Sequence, residues 1–433
     1  MRFDWMVDRT KAPVLNEYGE LSLTLPGWRT LPNGLQLCVV NGGEVEVNRV
    51  DVYVGGGLFE QPKRYVAQLL NYMLAKGTSQ YSAEEIAEQM DFYGAISSGS
   101  TSDHNMKISL RSTNDNLGKL LPIFFDMLTT PQFPQIEFDK LVDRLVANVT
   151  VRMQRVSAIA GGKLSQMCFG EDSPLAQEKS ADVIRGVTID DLRRFHEARF
   201  APGNCRVVLS GKIDDDVLAL VEKYFGGWQD REFESLVGWH IEPQNEMYAL
   251  VDKPDALQTA VAIAIDAIGR EHPDYIALRI LVTAFGGYFG SRLMSNIRED
   301  KGYTYGIQAY LIGRKEHGYV GISTECASQY TQSVIDEIKH EMAGLREEKI
   351  GNEELQMVRN HMLSDLVKTL DTPFALAGYV DSTISYGVDP DYFNRQYREI
   401  RSITPARLHE MAKKYLVEDK MRIALAGDAK NMI

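Results

Sequence analysis

Two stretches of this chain read alike at a fixed separation. Residues 187–211 are VTIDDLRRFHEARFAPGNCRVVLSG and residues 403–427 are ITPARLHEMAKKYLVEDKMRIALAG. In each, a Thr stands four places before a Leu and 23 before a Gly, and Thr188 and Thr404 lie 216 residues apart in a chain of 433. Each copy predicts a Thr-capped helix, a loop, and a buried strand of β-branched and aliphatic residues ending at Gly. Equal spacing of three features points to a duplication, so whatever one half folds into, the other half should form again.

The length agrees, since a chain of this size suits two domains of about 200 residues each. The segment WQDREFESLVGWHIEPQNE (228–246) breaks the periodic pattern. The expected division is therefore a first domain at 1–230, a linker at 231–245 and a second domain at 246–433. In the first half, LPNGLQLCVV (31–40) carries an Asn33-Gly34 turn signal, and RVDVYVGGG (49–57) alternates as a strand does. Ser82-Ala83-Glu84-Glu85 is a capping box that opens a helix stopping near Gly94. A strand is expected at 105–112, an amphipathic helix at 117–131 and one long helix at 138–160. The second half restarts with a strand at 257–268 and a helix at 275–287. Strands and helices mix without regular alternation, which favours an α+β fold over a doubly wound sheet.

Composition excludes several classes. Hydrophobic residues make up 44% and charged residues 25%, as in a folded globular protein. The formal net charge of -13 repels nucleic acid and anionic lipid, so neither is an expected partner. No apolar run reaches the length of a membrane span or, at the start of the chain, of a signal peptide. A cytoplasmic location is therefore expected, or a periplasmic one if a leader has been removed.

The usual chemistry is hard to find. Cys38, Cys168, Cys205 and Cys326 form no Cys-x-x-Cys pair and read as buried fillers. None of the eight histidines (His104, His196, His240, His272, His317, His340, His361, His409) has another within five residues. Gly55-Gly56-Gly57 and Gly286-Gly287-Tyr288-Phe289-Gly290 lack the Lys and Ser/Thr of a phosphate loop. Asp103-His104 has no nucleophile context.

One stretch stands out. QLLNYMLAKGT (68–78) puts Gln68, Asn71 and Tyr72 one turn apart on a single helical face. Together with LPNGLQLCVV, SAEEIAEQMDFYGA, ARFAPGNCRVVLSGKID and SRLMSNIREDKGYTYGI (291–307), it resembles the pitrilysin/insulinase family of zinc metallopeptidases, which includes the mitochondrial processing peptidase and the bc1 core subunits. The resemblance covers nearly the whole chain. It implies two similar α+β domains of the LuxS/mitochondrial-processing-peptidase-like metallohydrolase type.

Active members of that family carry His-x-x-Glu-His on the helix before the Met-Leu-x-Lys-Gly-Thr turn, with a third ligand, a Glu, about 75 residues later. Here Gln68 and Tyr72 occupy the ligand positions and Asn71 that of the base. The third-ligand region falls near Ala147 and Asn148, and the nearby Asp143 does not match it. Zinc needs imidazole, thiolate or carboxylate, and Asn cannot take a proton from water. No metal or cofactor is therefore expected in this chain.

The family's other signature is an Arg and a Tyr seven residues apart, which contact the substrate backbone and stabilise the transition state. Arg298 and Tyr305 match it. Read without the resemblance, Arg298 is a surface ion-pair residue beside Glu299 or Asp300, and Tyr305 a half-buried strand residue. With it, the expectation is a non-catalytic, peptide-binding subunit that supplies Arg298 and Tyr305 to a zinc-bearing homologous partner. Tyr72, Tyr303, Tyr305, Tyr310 and Phe289 would line its inner wall. The alternative is an inactive homodimeric peptide-binding or structural protein of the same fold. A third reading, an autonomous peptidase with a relocated site, is opposed by the missing donors.

Overall fold

The computed structural model describes residues 10, 19–176, 181–234, 239, 241–315 and 317–432. Among these described residues, eleven strands form two sheets. The first contains β1 (Trp28–Thr30), β2 (Gln36–Asn41), β3 (Val47–Gly55), β4 (Ile96–Thr101), β5 (Asn105–Thr113) and β6 (Cys205–Gly211), in the order β1-β2-β6-β3-β5-β4. The second contains β7 (Tyr248–Asp252), β8 (Gln258–Ala267), β9 (Thr304–Gly313), β10 (Gly318–Ala327) and β11 (Met421–Gly427), in the order β7-β11-β8-β10-β9. Setting β1 aside, the two orders are the same. In each, the strand that ends the repeat runs parallel to the first strand and antiparallel to the second. The duplication read from the Thr188 and Thr404 segments is thus a duplication of topology, and β4 and β9 are equivalent edge strands.

The helices follow the same correspondence. The first half has α1 (Val66–Met73), α2 (Ala83–Phe92), α3 (Asn114–Thr129), α4 (Gln135–Arg152), α5 (Val156–Phe169), α6 (Ala181–Arg185), α7 (Ile189–Arg199) and α8 (Asp215–Gly226). The second has α9 (Tyr275–Val282), α10 (Thr331–Glu347), α11 (Asn352–Lys368), α12 (Pro373–Tyr386), α13 (Tyr392–Ser402) and α14 (Pro405–Tyr415). Local sequence sets their ends. Ser82 and Glu85 close a reciprocal capping box on α2, and Thr188 does the same with Asp191 on α7. Thr404 caps α14 through the Arg407 N–H. Thr372 caps α12, Pro373 occupies its first position, and Gly387 ends it at φ +71°.

Each half has its own apolar core between one sheet face and its helices, with Phe124, Phe195 and Phe225 fully buried in the first and Phe285 and Phe393 in the second. Burying one such ring contributes about 1.5–3 kcal/mol. The other sheet faces are covered by exchange. Helix α5 of the first half lies on β8 and β11, where Leu164, Met167 and Phe169 meet an alanine face of Ala260, Ala262, Ala264, Ala424 and Ala426. Helix α12 of the second half lies on β2 and β6, where Ala377 and Val380 meet Cys38, Val40 and Val208. Lys107 of β5 adds a polar tie to α12, 3.3 Å from Asp381.

This exchange corrects one expectation. The long helix at 138–160 is two helices, interrupted at Met153–Arg155, with Arg155 in an extended conformation. No Pro or Gly causes the break. The chain turns there because α4 packs within the first half while α5 crosses to the second sheet. The helix expected at 275–287 is α-helical to Val282 and π-helical over Thr283–Gly287. Of the expected linker 231–245, residues 231–234, 239 and 241–245 lie in neither helix nor strand, and 235–238 and His240 lie outside the described residues. No helix among the described residues is long and apolar enough to cross a membrane.

Candidate functional site

Helix α1 presents Gln68, Asn71 and Tyr72 toward different surroundings. Asn71 is 8% exposed. Its Nδ2 donates to the backbone carbonyls of Ser100 (2.8 Å) on β4 and Lys107 (3.3 Å) on β5. Its Oδ1 rests on Gly99, where an added Cβ would lie only 1.8 Å from that oxygen. Asn71 is thus a clasp between the helix and the edge hairpin. The Gln68 side-chain oxygen is buried with no hydrogen-bond partner. Tyr72 is half exposed, at 50%.

These groups do not suit a metal ion. An amide, an amide and a phenol lack the donor strength zinc requires. The Asn71 nitrogen is held by two backbone carbonyls, which leaves its oxygen turned against Gly99 with no hydrogen-bond partner. Ala147 and Asn148 are exposed on α4, and Asp143 pairs with Arg185 at 3.2 Å. Among the described residues no cluster of three or more His, Cys, Asp or Glu side chains could hold a metal.

The histidines and carboxylates nearest to other candidate chemistry have structural partners. His104 bonds through Nδ1 to Glu60 (2.7 Å), not to Asp103, which pairs with Arg314 across the halves. That bond raises the His104 pKa. Burial pushes the Glu60 carboxyl up, but the bonds from His104 and the Gly57 N–H outweigh it and leave it below the usual range. The ring of His196 donates to the Leu128 carbonyl (2.8 Å), and burial pulls its pKa down to about 4. The four cysteines are free and buried, and burial pushes Cys38 up to about 11.

Arg298 and Tyr305 come together at the end of β9. Arg298 sits in the π-helical segment Met294–Asp300, which Ile297 anchors in the core and Asn296 ties to Glu337 (3.0 Å) and Glu341 (2.8 Å) of α10. Single π turns of this kind recur at functional sites. Across the sheet, Thr324 pairs with Ile307 but Cys326 pairs with Thr304, so β9 holds one extra residue there. The resulting bulge at Tyr305-Gly306 turns the Tyr305 side chain outward.

Tyr305 is accordingly 89% exposed, and not the half-buried strand residue that the sequence alone suggested. Arg298 forms no ion pair with Glu299 or Asp300. Its guanidinium lies between two aromatic rings, 5.1 Å from Phe289 and 5.2 Å from Tyr305. Stacking leaves the edge donors of the fork free to meet an acceptor. Beside this group lies a cavity of about 480 Å³ lined by Gly286, Gly287, Phe289, Met294, Gly306 and Gln308.

Of the aromatic residues expected on one wall, Phe289 and Tyr305 share this site and Tyr72 is exposed on α1. Tyr303 stacks on Tyr330 (4.7 Å), and Tyr310 packs over Gly321, its phenol pKa raised by burial. No hydrogen bond or ring contact joins the Gln68/Asn71/Tyr72 group to the Arg298/Tyr305 group among the described residues. The sequence reading missed the Asn71 clasp. Gly99 inside ISSGST was its available signal, since glycine within a strand often marks close approach of another group.

Comparison with known proteins gives a consistent result. Residues 43–169 match the family described as Insulinase (Peptidase family M16), and residues 186–362 match the Peptidase M16 inactive domain. An uncharacterized zinc protease of Bacillus subtilis, YmxG, is 23% identical over 410 residues, spanning 93% of this chain and 98% of that protein. An uncharacterized zinc protease of Mycobacterium tuberculosis is 24% identical over 411 residues, 93% of each. The crystal structure of a peptidase M16 inactive domain from Pseudomonas fluorescens superposes with a TM-score of 0.84 at 22% identity, covering 93% of this chain and 98% of its own. A protease from Helicobacter pylori reaches 0.83 at 18% identity, covering 93% and 100%. At such identities the structural likeness speaks to the fold.

Proposed function

The chain belongs to the insulinase, or M16, peptidase family, and from that premise we propose that it is the non-catalytic, peptide-binding subunit of a two-chain metallopeptidase. In this reading a homologous partner carries the zinc, and this chain supplies Arg298 and Tyr305 to the bound substrate. The observation that carries it is the asymmetry between the two halves. In the first half Asn71, which the family resemblance aligns with the general base, clasps the edge hairpin, whereas the second half presents a guanidinium without a carboxylate partner beside Phe289 and Tyr305 at an edge strand.

The chemistry fits that role. A guanidinium fork and a phenol are both donors, suited to a peptide carbonyl that gains negative charge as it is attacked. An extended peptide could take up backbone hydrogen bonds along a free strand edge. The cavity beside Phe289 would receive one of its side chains. A purely structural subunit has no use for a half-buried Arg298 that stacks on aromatic rings and pairs with no carboxylate among the described residues.

The test is to mix this chain with an M16 homologue that has His-x-x-Glu-His and follow cleavage of a peptide. Arg298→Ala should lower the rate of the mixture by about 10²-fold, the order expected for loss of one transition-state donor. Unchanged cleavage would overturn the assignment in favour of the homodimeric binding or structural protein.

A further inference from the structure

Helices α9, α11, α12 and α13 do not close on one another. They enclose a cavity of about 620 Å³, within the range of small-molecule sites. Two guanidinium groups, Arg270 and Arg279, stand on its wall. Among the described residues neither pairs with a carboxylate. Arg270 donates through Nε to the Gly313 carbonyl (3.0 Å) and stacks over Tyr386 (3.5 Å to the ring centroid). The one carboxylate lining the cavity, Asp365, is taken by Lys368 (2.8 Å) and faces His361 (3.4 Å). The lining thus has three permanent cations against one anion, in a protein whose net charge is -13.

Two guanidinium groups without a carboxylate partner on one partly buried wall leave positive charge uncompensated there, and a bound anion would neutralise it. A second observation points the same way. Tyr392, on the same wall, is 2% exposed, and its hydroxyl has no hydrogen-bond partner. Its neighbour Tyr379 differs, accepting from Gln396 Nε2 at 2.8 Å. A buried hydroxyl without a partner costs about 1–3 kcal/mol, which a ligand acceptor would recover. Met362 and Leu366 add an apolar patch, so the cavity suits an organic body as well as a charge.

We propose that this cavity binds a small organic anion, with its carboxylate or phosphate held between Arg270 and Arg279 and its apolar part against Met362 and Leu366. Arg270, Gly378 and Ser382 also line a second cavity, of about 390 Å³, which faces Ser100 and Lys107 of the first half. The proposed site thus shares Arg270 with a cavity that borders both halves.

Isothermal titration calorimetry on the full chain tests this with four probes: inorganic phosphate, phenyl phosphate, benzoate and the neutral benzamide. Saturable binding is expected for phenyl phosphate or benzoate and not for benzamide, and which of the two binds more tightly identifies the anion. Arg279→Gln should weaken that binding at least ten-fold. Arg298→Ala should leave it unchanged, which separates this site from the peptide-holding one. Tyr392→Phe, which removes a single oxygen, should also weaken it and serves if Arg279→Gln does not fold. Absence of saturable binding by every anionic probe, or equal binding by wild type and the cavity variants, would overturn the proposal.

Discussion

The side-chain nitrogen of Asn71 lies 2.8 Å from the backbone oxygen of Ser100, and through that bond helix α1 holds the outermost strand of the first sheet. An edge strand has neighbours on one side only, so a side chain that ties it down matters more than it would at a central strand. Asn suits the place because its NH2 donates to two carbonyls, while its oxygen, which has no hydrogen-bond partner, fits into the space left by Gly99.

Asn71→Asp should be destabilising by about 2–4 kcal/mol, because it removes both donations and places a buried carboxylate against two carbonyl oxygens. Urea denaturation at pH 7 checks the size. A loss below 0.5 kcal/mol, the ordinary range for a surface substitution, would mean that the clasp is ornamental.

Gly99→Ala should have a related effect. The new methyl would fall 1.8 Å from Asn71 Oδ1, so the Asn71 side chain must swing away and give up its bonds, or the strand and helix must separate. A cost of about 1–3 kcal/mol is expected for such overpacking. In the Asn71→Ala background the clash is gone, so the penalty for Gly99→Ala should shrink, and a double-mutant cycle measures that coupling.

Installing a His-x-x-Glu-His motif on α1 should not by itself create a metal site. The combined change Gln68→His, Asn71→Glu and Tyr72→His supplies two imidazoles, but no carboxylate stands at Ala147 or Asn148 as third ligand, and the clasp is lost. Elemental analysis of the purified variant should find less than stoichiometric zinc. Adding Asn148→Glu is the natural next step, and a gain in zinc only then would locate the missing ligand.

Acid should destabilise the protein through His196. Its folded pKa is pulled down to about 4 by burial, against about 6.5 when unfolded. The folded state therefore binds fewer protons between those values, and stability is lost as pH falls through that window. The contribution is on the order of 3 kcal/mol. His196→Gln, which can still donate to Leu128, should flatten the dependence between pH 6.5 and 4. His104 has the opposite sign, since its raised pKa adds stability that fades as pH rises through the folded value.

Packing between the halves makes a further case. Helix α5 sits close to β8 because that sheet face is alanine. Ala264→Leu, at a fully buried position, should push α5 away and cost about 1–3 kcal/mol. Thermal denaturation compared with an exposed control, Met357→Leu, isolates the effect.

Much of this architecture was legible from local pattern. The helix caps at Ser82, Thr188 and Thr404 are set by side chains three residues from the groups they bind. The Asn33-Gly34 turn likewise joins β1 to β2, with Gly34 at φ +83°. The break at Met153–Arg155 was not legible, because its cause is a sheet face formed by the distant strands β8 (Gln258–Ala267) and β11 (Met421–Gly427). Nor was the exposure of Tyr305, which depends on a bulge defined by pairing with β10.

By itself the sequence determined the duplication, the order of elements and the donor types at Gln68, Asn71 and Tyr72, since each depends on residue identity at short range. Only the tertiary structure decided what those residues touch. Asn71 meets carbonyls 29 and 36 residues away, and Arg298 lies between rings brought in by a π turn and a bulge. Bonds across such separations follow from how helices and sheets pack, and periodicity along a chain carries no record of that.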